Sequence, residues 1–272
     1  MSLKIVQVDA FTDKPFGGNP AAVCVTEGPL EDAKMQAIAA EMNLSETAFL
    51  HPLGNTEADG FSIRWFSPTT EVDLCGHATL ASAHTLWSEG YLSEGTAAKF
   101  KSRRAGWLGA QQQANGWIEL DFPEQPVKPA HVMPQLVKSL CCQGDIRTVT
   151  KSQSNYLVET HSEKSVRAMT PDFVELKKLP VQGVIVTAAA EDPSYDFVSR
   201  YFCPSIGINE DPVTGFAHTS LAPYWQEKLG KSVMLAQQVS ARGGVIQVDC
   251  TKTDRVLISG QALTVMRGDL LA

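Results

Sequence analysis

The sequence predicts an α+β protein of two pseudosymmetric domains, each a mostly antiparallel sheet or barrel wrapped around a buried central helix. Three observations lead there. First, Phe61-Ser62-Ile63-Arg64-Trp65-Phe66-Ser67-Pro68 reappears 136 residues on as Phe197-Val198-Ser199-Arg200-Tyr201-Phe202-Cys203-Pro204, and 136 is half of the 272-residue chain. The same offset takes Asn19 to Asn155 and Thr47-Ala48-Phe49-Leu50 onto Gly183-Val184-Ile185-Val186. After a three-residue insertion Gly76-His77-Ala78 meets Gly215-Phe216-Ala217, and Ser102, Arg104 and Gly106 meet Ser240, Arg242 and Gly244. Matches that stay in order along the whole length are the mark of a duplicated domain. Second, both halves run through apolar strand-like segments in the same order. Third, each half holds one helix with no polar face, and such a helix is buried.

The elements are expected as follows. A first strand spans Lys4 to Ala10, with Asp145 to Val149 as its repeat. A second spans Ala21 to Thr26, repeated at Tyr156 to Thr160. Leu30 to Glu41 sets Leu30, Met35, Ile38 and Ala39 on one helical face. Its counterpart starts near Thr170-Pro171-Asp172, where a proline and an acid mark a first turn. Strands at 47–51 and 61–66 match 183–188 and 195–202. Next come the buried helices, Gly76 to Trp87 and Gly215 to Trp225. Final strands at 99–112 and 117–122 answer 239–248 and 255–259. Prolines at 123, 126, 129 and 134 mark a linker, which sets domains at 1–124 and 125–272. A strand at 262–266 has no evident twin and is expected to cross back onto the first domain.

Composition excludes several classes. Hydrophobic content of 43% with 19% charged residues describes a globular chain. The net charge is −7 and the basic residues are scattered, so nucleic acid and anionic membrane are not expected partners. Met1 leads straight into the alternating run Leu3-Ile5-Val6-Val8, which is no secretory signal, and no apolar stretch approaches a membrane span. Six cysteines without a C-x-x-C pair suit reduced thiols in a cytoplasm. There is no G-x-G-x-x-G, no G-x-x-x-x-G-K-[ST] and no G-x-S-x-G. Proton-transfer chemistry without a cofactor remains.

Two related domains that face each other create a cleft, a preferred ligand site. Both buried helices begin at a glycine, Gly76 and Gly215. Each glycine either permits a tight turn or opens a helix start to an anion, because first-turn amides and the helix dipole attract a carboxylate. Each half also contributes an acid that the other lacks. Glu46 aligns with Gln182, and Asp211 with Val72. Glu46 opens an apolar strand, where desolvation favours the protonated form and suits proton transfer near neutrality; the plainer reading is a solvated strand-start residue. Asp211 is either such a group or a turn residue before Pro212. His77, beside Gly76, is placed to donate to a substrate oxygen or to shuttle a proton. His84 and His218 read as packed. Cys75 is filler or a reactive thiolate. No metal is expected, since no residue pair has the i, i+4 spacing of helical zinc sites.

Five segments together resemble the PhzF family: Asp9-Ala10-Phe11-Thr12, Gly18-Asn19-Pro20-Ala21-Ala22-Val23, Met42-Asn43-Leu44-Ser45-Glu46-Thr47-Ala48-Phe49, Cys75-Gly76-His77-Ala78-Thr79 and Glu210-Asp211-Pro212-Val213-Thr214-Gly215. These are phenazine-biosynthesis-type isomerases with the diaminopimelate epimerase fold. The resemblance implies a cofactor-independent isomerase, usually a homodimer, acting on a small carboxylate such as trans-2,3-dihydro-3-hydroxyanthranilate. It implies Glu46, His77 and Asp211 as catalytic residues, with Glu46 moving the proton. Asn19, Ser45, Cys75, Gly76, Thr214, Gly215 and Phe216 are implied as substrate-binding residues. Two departures stand out. Phe216 follows Gly215 where the family commonly has serine, which removes a hydroxyl contact. Cys75 matches one thiol of the related two-thiol epimerases, but Thr214 stands at the other. The competing readings are an amino-acid racemase or epimerase using Cys75, and a non-catalytic small-molecule binding protein.

Overall fold

The computed structural model describes residues 2–142 and 144–271. The chain divides into two compact units, Met1–Asp121 with Ser259–Ala272, and Phe122–Ile258. Among the described residues, no helix is long and apolar enough to cross a membrane.

In the first unit β1 (Ser2–Ala10) pairs antiparallel with β2 (Asn19–Val25), and β2 pairs parallel with β3 (Glu46–Pro52). β3 pairs antiparallel with β4 (Phe61–Phe66), which meets the short β5 (Glu71–Val72) and runs parallel to β6 (Ala98–Ser102). The meander β6, β7 (Gly106–Gln112) and β8 (Ile118–Pro123) follows. Between β2 and β3 lies helix α1 (Asp32–Met42), and between β5 and β6 lies α2 (Gly76–Ser88).

α2 packs against β1, β2, β3 and β7, and ten of its residues from Gly76 to Leu86 are buried. α1 covers the opposite face, where Met35, Ile38 and Ala39 join Ile5, Ala22, Cys24, Phe49 and Phe66. Burial follows this layering. β3 is buried from Glu46 through Leu50 because helices cover both of its faces, whereas β6 alternates buried and exposed.

The second unit repeats the order. β9 (Lys128–Pro129) precedes α3 (Pro134–Leu140), β10 (Ile146–Lys151) and β11 (Asn155–Thr160). Then come α4 (Glu163–Ala168), α5 (Phe173–Leu176), β12 (Gly183–Ala189), β13 (Phe197–Cys203) and β14 (Ile208–Asp211). The buried helix α6 (Gly215–Leu229), β15 (Val233–Gln238), β16 (Gly244–Asp249) and β17 (Arg255–Gly260) finish it. β10–β11 is antiparallel, β11–β12 parallel, β12–β13 antiparallel and β13–β15 parallel, as in the first unit. The α+β fold with a helix inside each sheet is therefore as the sequence predicts.

The repeat extends to side chains. Arg64 donates through Nε and one terminal nitrogen to the two oxygens of Glu71 at 2.7 and 2.8 Å; Arg200 holds Glu210 at the same distances. Each guanidinium also lies over a phenylalanine, Phe66 at 5.1 Å and Phe202 at 4.8 Å.

Four expectations need correction. The strand expected at 239–248 is β16 at Gly244–Asp249, and β15 at Val233–Gln238 precedes it as its antiparallel partner. The helix expected near Thr170 is two short ones, α4 and α5, with Asp172 capping α5 through Val174 and Glu175 N–H. The proline-rich stretch 123–134 is not bare linker, since β9 within it pairs with Thr150 and Lys151 of β10. β18 (Ala262–Leu271) pairs with β1 along its whole length, so β9 is its twin on the repeated strand.

Register also changes one alignment. Thr47 pairs with Phe66 and Val184 with Phe202. Phe66 and Phe202 are repeat partners, so Val184 answers Thr47, and Gly183 rather than Gln182 answers Glu46. In a strand one residue of slip reverses the face.

Candidate active site

In the first unit three segments place their side chains together. The loop before β2 is closed by Asp9, buried, whose carboxylate accepts the Phe16 N–H at 2.7 Å. Gly18 has a φ of +59°, and a Cβ there would come within 2.1 Å of Ala10 O, so only glycine turns the chain into Asn19. α1 ends at Asn43 in the left-handed conformation, φ 50°, and the chain then passes through half-buried Ser45 into Glu46. Cys75 is the N-cap of α2, with Gly76 and His77 as its first two residues.

These segments make a hydrogen-bonded chain. Asn19 Nδ2 lies 3.1 Å from His77 Nδ1, and His77 Nε2 lies 3.2 Å from Glu46 Oε2. Cys75 Sγ sits 3.4 Å from the same Nδ1, and Ser45 Oγ donates to Asn19 Oδ1 at 3.5 Å. The tautomer follows. With Asn19 Oδ1 accepting from Ser45, its amide nitrogen donates to Nδ1, so the ring proton is on Nε2 and points at Glu46. Burial pushes the His77 imidazole down to about 3, so the ring is neutral. Asn19, Glu46, Cys75 and His77 are all at least nine-tenths buried. The N-cap residue Cys75 makes no capping hydrogen bond through its side chain.

The second unit assembles its own polar cluster at the start of α6. Thr214, the N-cap residue, donates Oγ1–H to Asp211 Oδ2 at 2.5 Å instead of capping its own helix. Gln238, fully buried on β15, fixes the turn. Its Oε1 accepts the Thr214 N–H at 2.9 Å and its Nε2 donates to Asp211 O at 2.8 Å. Gly215 is buried and Phe216 half-buried in the first turn. His218 lies inside α6, with Nδ1 at 2.8 Å from Thr214 O and its ring stacked on Phe197; burial pushes it down to about 4. As expected from the sequence, His84 and His218 are packing residues, with His84 Nε2 at 3.0 Å from Thr264 Oγ1 on β18.

The structure thus brings Asn19, Ser45, Glu46, Cys75, Gly76 and His77 together in one unit, and Asp211, Thr214, Gly215 and Phe216 in the other. Sequence reasoning missed Gln238. Nothing local singles it out, because its partners lie 24 and 27 residues away. It also disfavoured a metal, whereas ligand atoms of Glu46, Cys75 and His77 lie within 4.8 Å of one another. Helical i, i+4 spacing does not describe that set, since Glu46 comes from a strand.

The PhzC-PhzF family model, described as phenazine biosynthesis-like protein, matches residues 8–268. The chain belongs to this family. An uncharacterized isomerase of Halalkalibacterium halodurans is 48% identical over 272 residues, covering 100% of this chain and 99% of the relative. The crystal structure of a PhzF family protein from Enterococcus faecalis superposes with a TM-score of 0.92 at 39% identity, covering all of both chains. A hydroxyproline epimerase from Agrobacterium vitis shares the fold alone, with a TM-score of 0.63 at 13% identity over 99% of this chain and 92% of its own. This PhzC-PhzF protein is an enzyme of the isomerase class, as its curated bacterial relatives are named.

Proposed function

We propose that this PhzC-PhzF protein is a cofactor-independent isomerase that moves one proton between two carbons of a small carboxylate-bearing substrate, with Glu46 as the base. One observation carries the reading: a buried carboxylate 3.2 Å from the Nε2–H of an imidazole that Asn19 in turn fixes at 3.1 Å. The substrate class is that of trans-2,3-dihydro-3-hydroxyanthranilate, by family kinship.

The step balances on one group. Glu46 takes a proton from one carbon, the electron pair spreads into the substrate's conjugated system, and the Glu46 carboxylic acid returns the proton to another carbon. His77 holds the carboxylate by hydrogen bond without taking the proton, because burial keeps its ring neutral. The first turn of α2, which the Cys75 side chain does not cap, offers amides and a positive dipole end to a substrate carboxylate. Asp211, held by Thr214, is proposed to orient substrate in the same reaction, and Asn19, Ser45, Cys75, Gly76, Gly215 and Phe216 to contact it. A homodimer in the cytoplasm completes the proposal; six free cysteines support a reducing compartment.

The test is Glu46→Gln assayed with trans-2,3-dihydro-3-hydroxyanthranilate in deuterated water. Turnover should fall about 10³-fold, with binding retained and deuterium entering the product only with the unmodified enzyme. Undiminished turnover in Glu46→Gln would remove Glu46 as the base. The approach of Cys75 to His77 at 3.4 Å favours a second reading, racemisation through a thiol. Cys75→Ala separates the two, since it should leave turnover within about tenfold when Glu46 acts alone.

A further inference from the structure

We propose that Glu46, Cys75 and His77 form a zinc site that inhibits the enzyme by occupying its base. The inhibition, though not the binding, rests on the assignment of Glu46 above.

The three side chains offer one carboxylate oxygen, one sulfur and one imidazole nitrogen, all buried and all within 4.8 Å of one another. His77 Nε2 is 3.2 Å from Glu46 Oε2 and 4.0 Å from Cys75 Sγ. A tetrahedral zinc ion with bonds of about 2.0–2.3 Å sets its ligand atoms about 3.3–3.6 Å apart. The Nε2–Oε2 pair already fits, and Cys75 Sγ, now nearer Nδ1 at 3.4 Å than Nε2 at 4.0 Å, completes the third corner by rotating toward Nε2. Water takes the fourth. A thiolate with an imidazole selects zinc over magnesium or calcium, which prefer oxygen ligands alone.

The surroundings are built to accept the ion. A metal on His77 Nε2 requires the ring proton on Nδ1, and Nδ1–H then requires an acceptor. Asn19 supplies it by turning its amide so that Oδ1 replaces Nδ2. Ser45, whose hydroxyl both donates and accepts, follows the turn. The proton balance is simple: the His77 proton moves from one ring nitrogen to the other, and the Cys75 thiol proton passes to solvent. Zinc binding therefore releases about one proton and tightens as pH rises.

Cobalt(II) serves as the optical probe and zinc as the inhibitor, both on the full-length protein. Cobalt should bind one ion per chain with a near-ultraviolet thiolate-to-metal band. Cys75→Ala should abolish the band, and His77→Ala should weaken binding by more than the about 10- to 100-fold that loss of an outer partner costs. Circular dichroism checks the fold, and Cys75→Ser repeats the test should the alanine variant unfold. No band, or a band surviving in both Cys75 variants and so arising from Cys141 and Cys142, overturns the site. Equimolar zinc should stop turnover, a chelator should restore it, and millimolar magnesium should do neither. Zinc bound at Cys75 with turnover intact would leave the metal site standing and remove Glu46 from the reaction, so the two failures are distinct.

Discussion

Tyr201 donates its hydroxyl hydrogen bond to Asn155 Oδ1 at 2.9 Å. Asn155 is the repeat of Asn19, which in the first unit lies 3.1 Å from the catalytic candidate His77. Gly183, at the position of Glu46, lets the tyrosine ring in. Beside this glycine the second unit buries a phenol that burial drives far above its ordinary pKa.

Gly183→Ala should therefore destabilise the protein without touching Glu46. The added Cβ would meet Tyr201 Cζ and Oη at 2.5 Å, and overpacking of this kind costs about 1–3 kcal/mol. Urea denaturation measures it. Restored stability in Gly183→Ala/Tyr201→Ala would identify the ring as the obstacle, and an unaffected single variant would contradict the packing.

Gln238→Leu should cost more. It takes the acceptor from the Thr214 N–H and a donor from the Asp211 carbonyl, and a buried group left unpaired costs about 1–3 kcal/mol. Turnover should fall about tenfold or more as Asp211 loses its position. Denaturation and kcat together check this; loss of stability at full kcat would make Gln238 structural only.

Acid should weaken the fold through its buried histidines. Burial lowers His77 from 6.5 to about 3 and His218 from 6.5 to about 4. Between pH 4 and 6.5 the unfolded chain accordingly binds protons that the folded chain refuses. Stability then rises with pH through that window and is lost as pH falls through it. His51 and His84 are shifted the same way by burial. Urea midpoints at pH 7 and pH 5 should show the drop, reduced in His218→Asn. Equal midpoints would mean that the rings are not buried neutral.

Arg64→Met and Arg200→Met should lose similar stability, about 1.5–3 kcal/mol each. Both remove a paired, mostly buried guanidinium from a glutamate and a phenylalanine ring. Paired thermal melts compare them, and a large asymmetry would show that the duplicated contact no longer does the same work in both units.

Much of this was legible in the chain. The two buried helices announced themselves because Gly76 to Trp87 and Gly215 to Trp225 have no polar face, and the strands because repeats confirmed one another. Glu46 and Asp211 drew notice as acids without counterparts. Gln238 did not, since a glutamine at the end of an apolar run has no pattern of its own, and its meaning lies in partners brought back by strand pairing. The twin of β18 was hidden for a similar reason: β9 is two residues long, and Pro129 made it read as linker.

The sequence by itself determined the duplication, the α+β class and the family, because these depend on periodicity and on motifs held within a few residues. Tertiary structure decided the rest. It set the register that makes Gly183 the partner of Glu46, the tautomer of His77, and the meeting of a strand carboxylate with a helix-start thiol and imidazole. Hydrogen bonds and metal ligation act over about 3 Å, and only folding brings groups as distant in sequence as Asn19 and His77 within that reach.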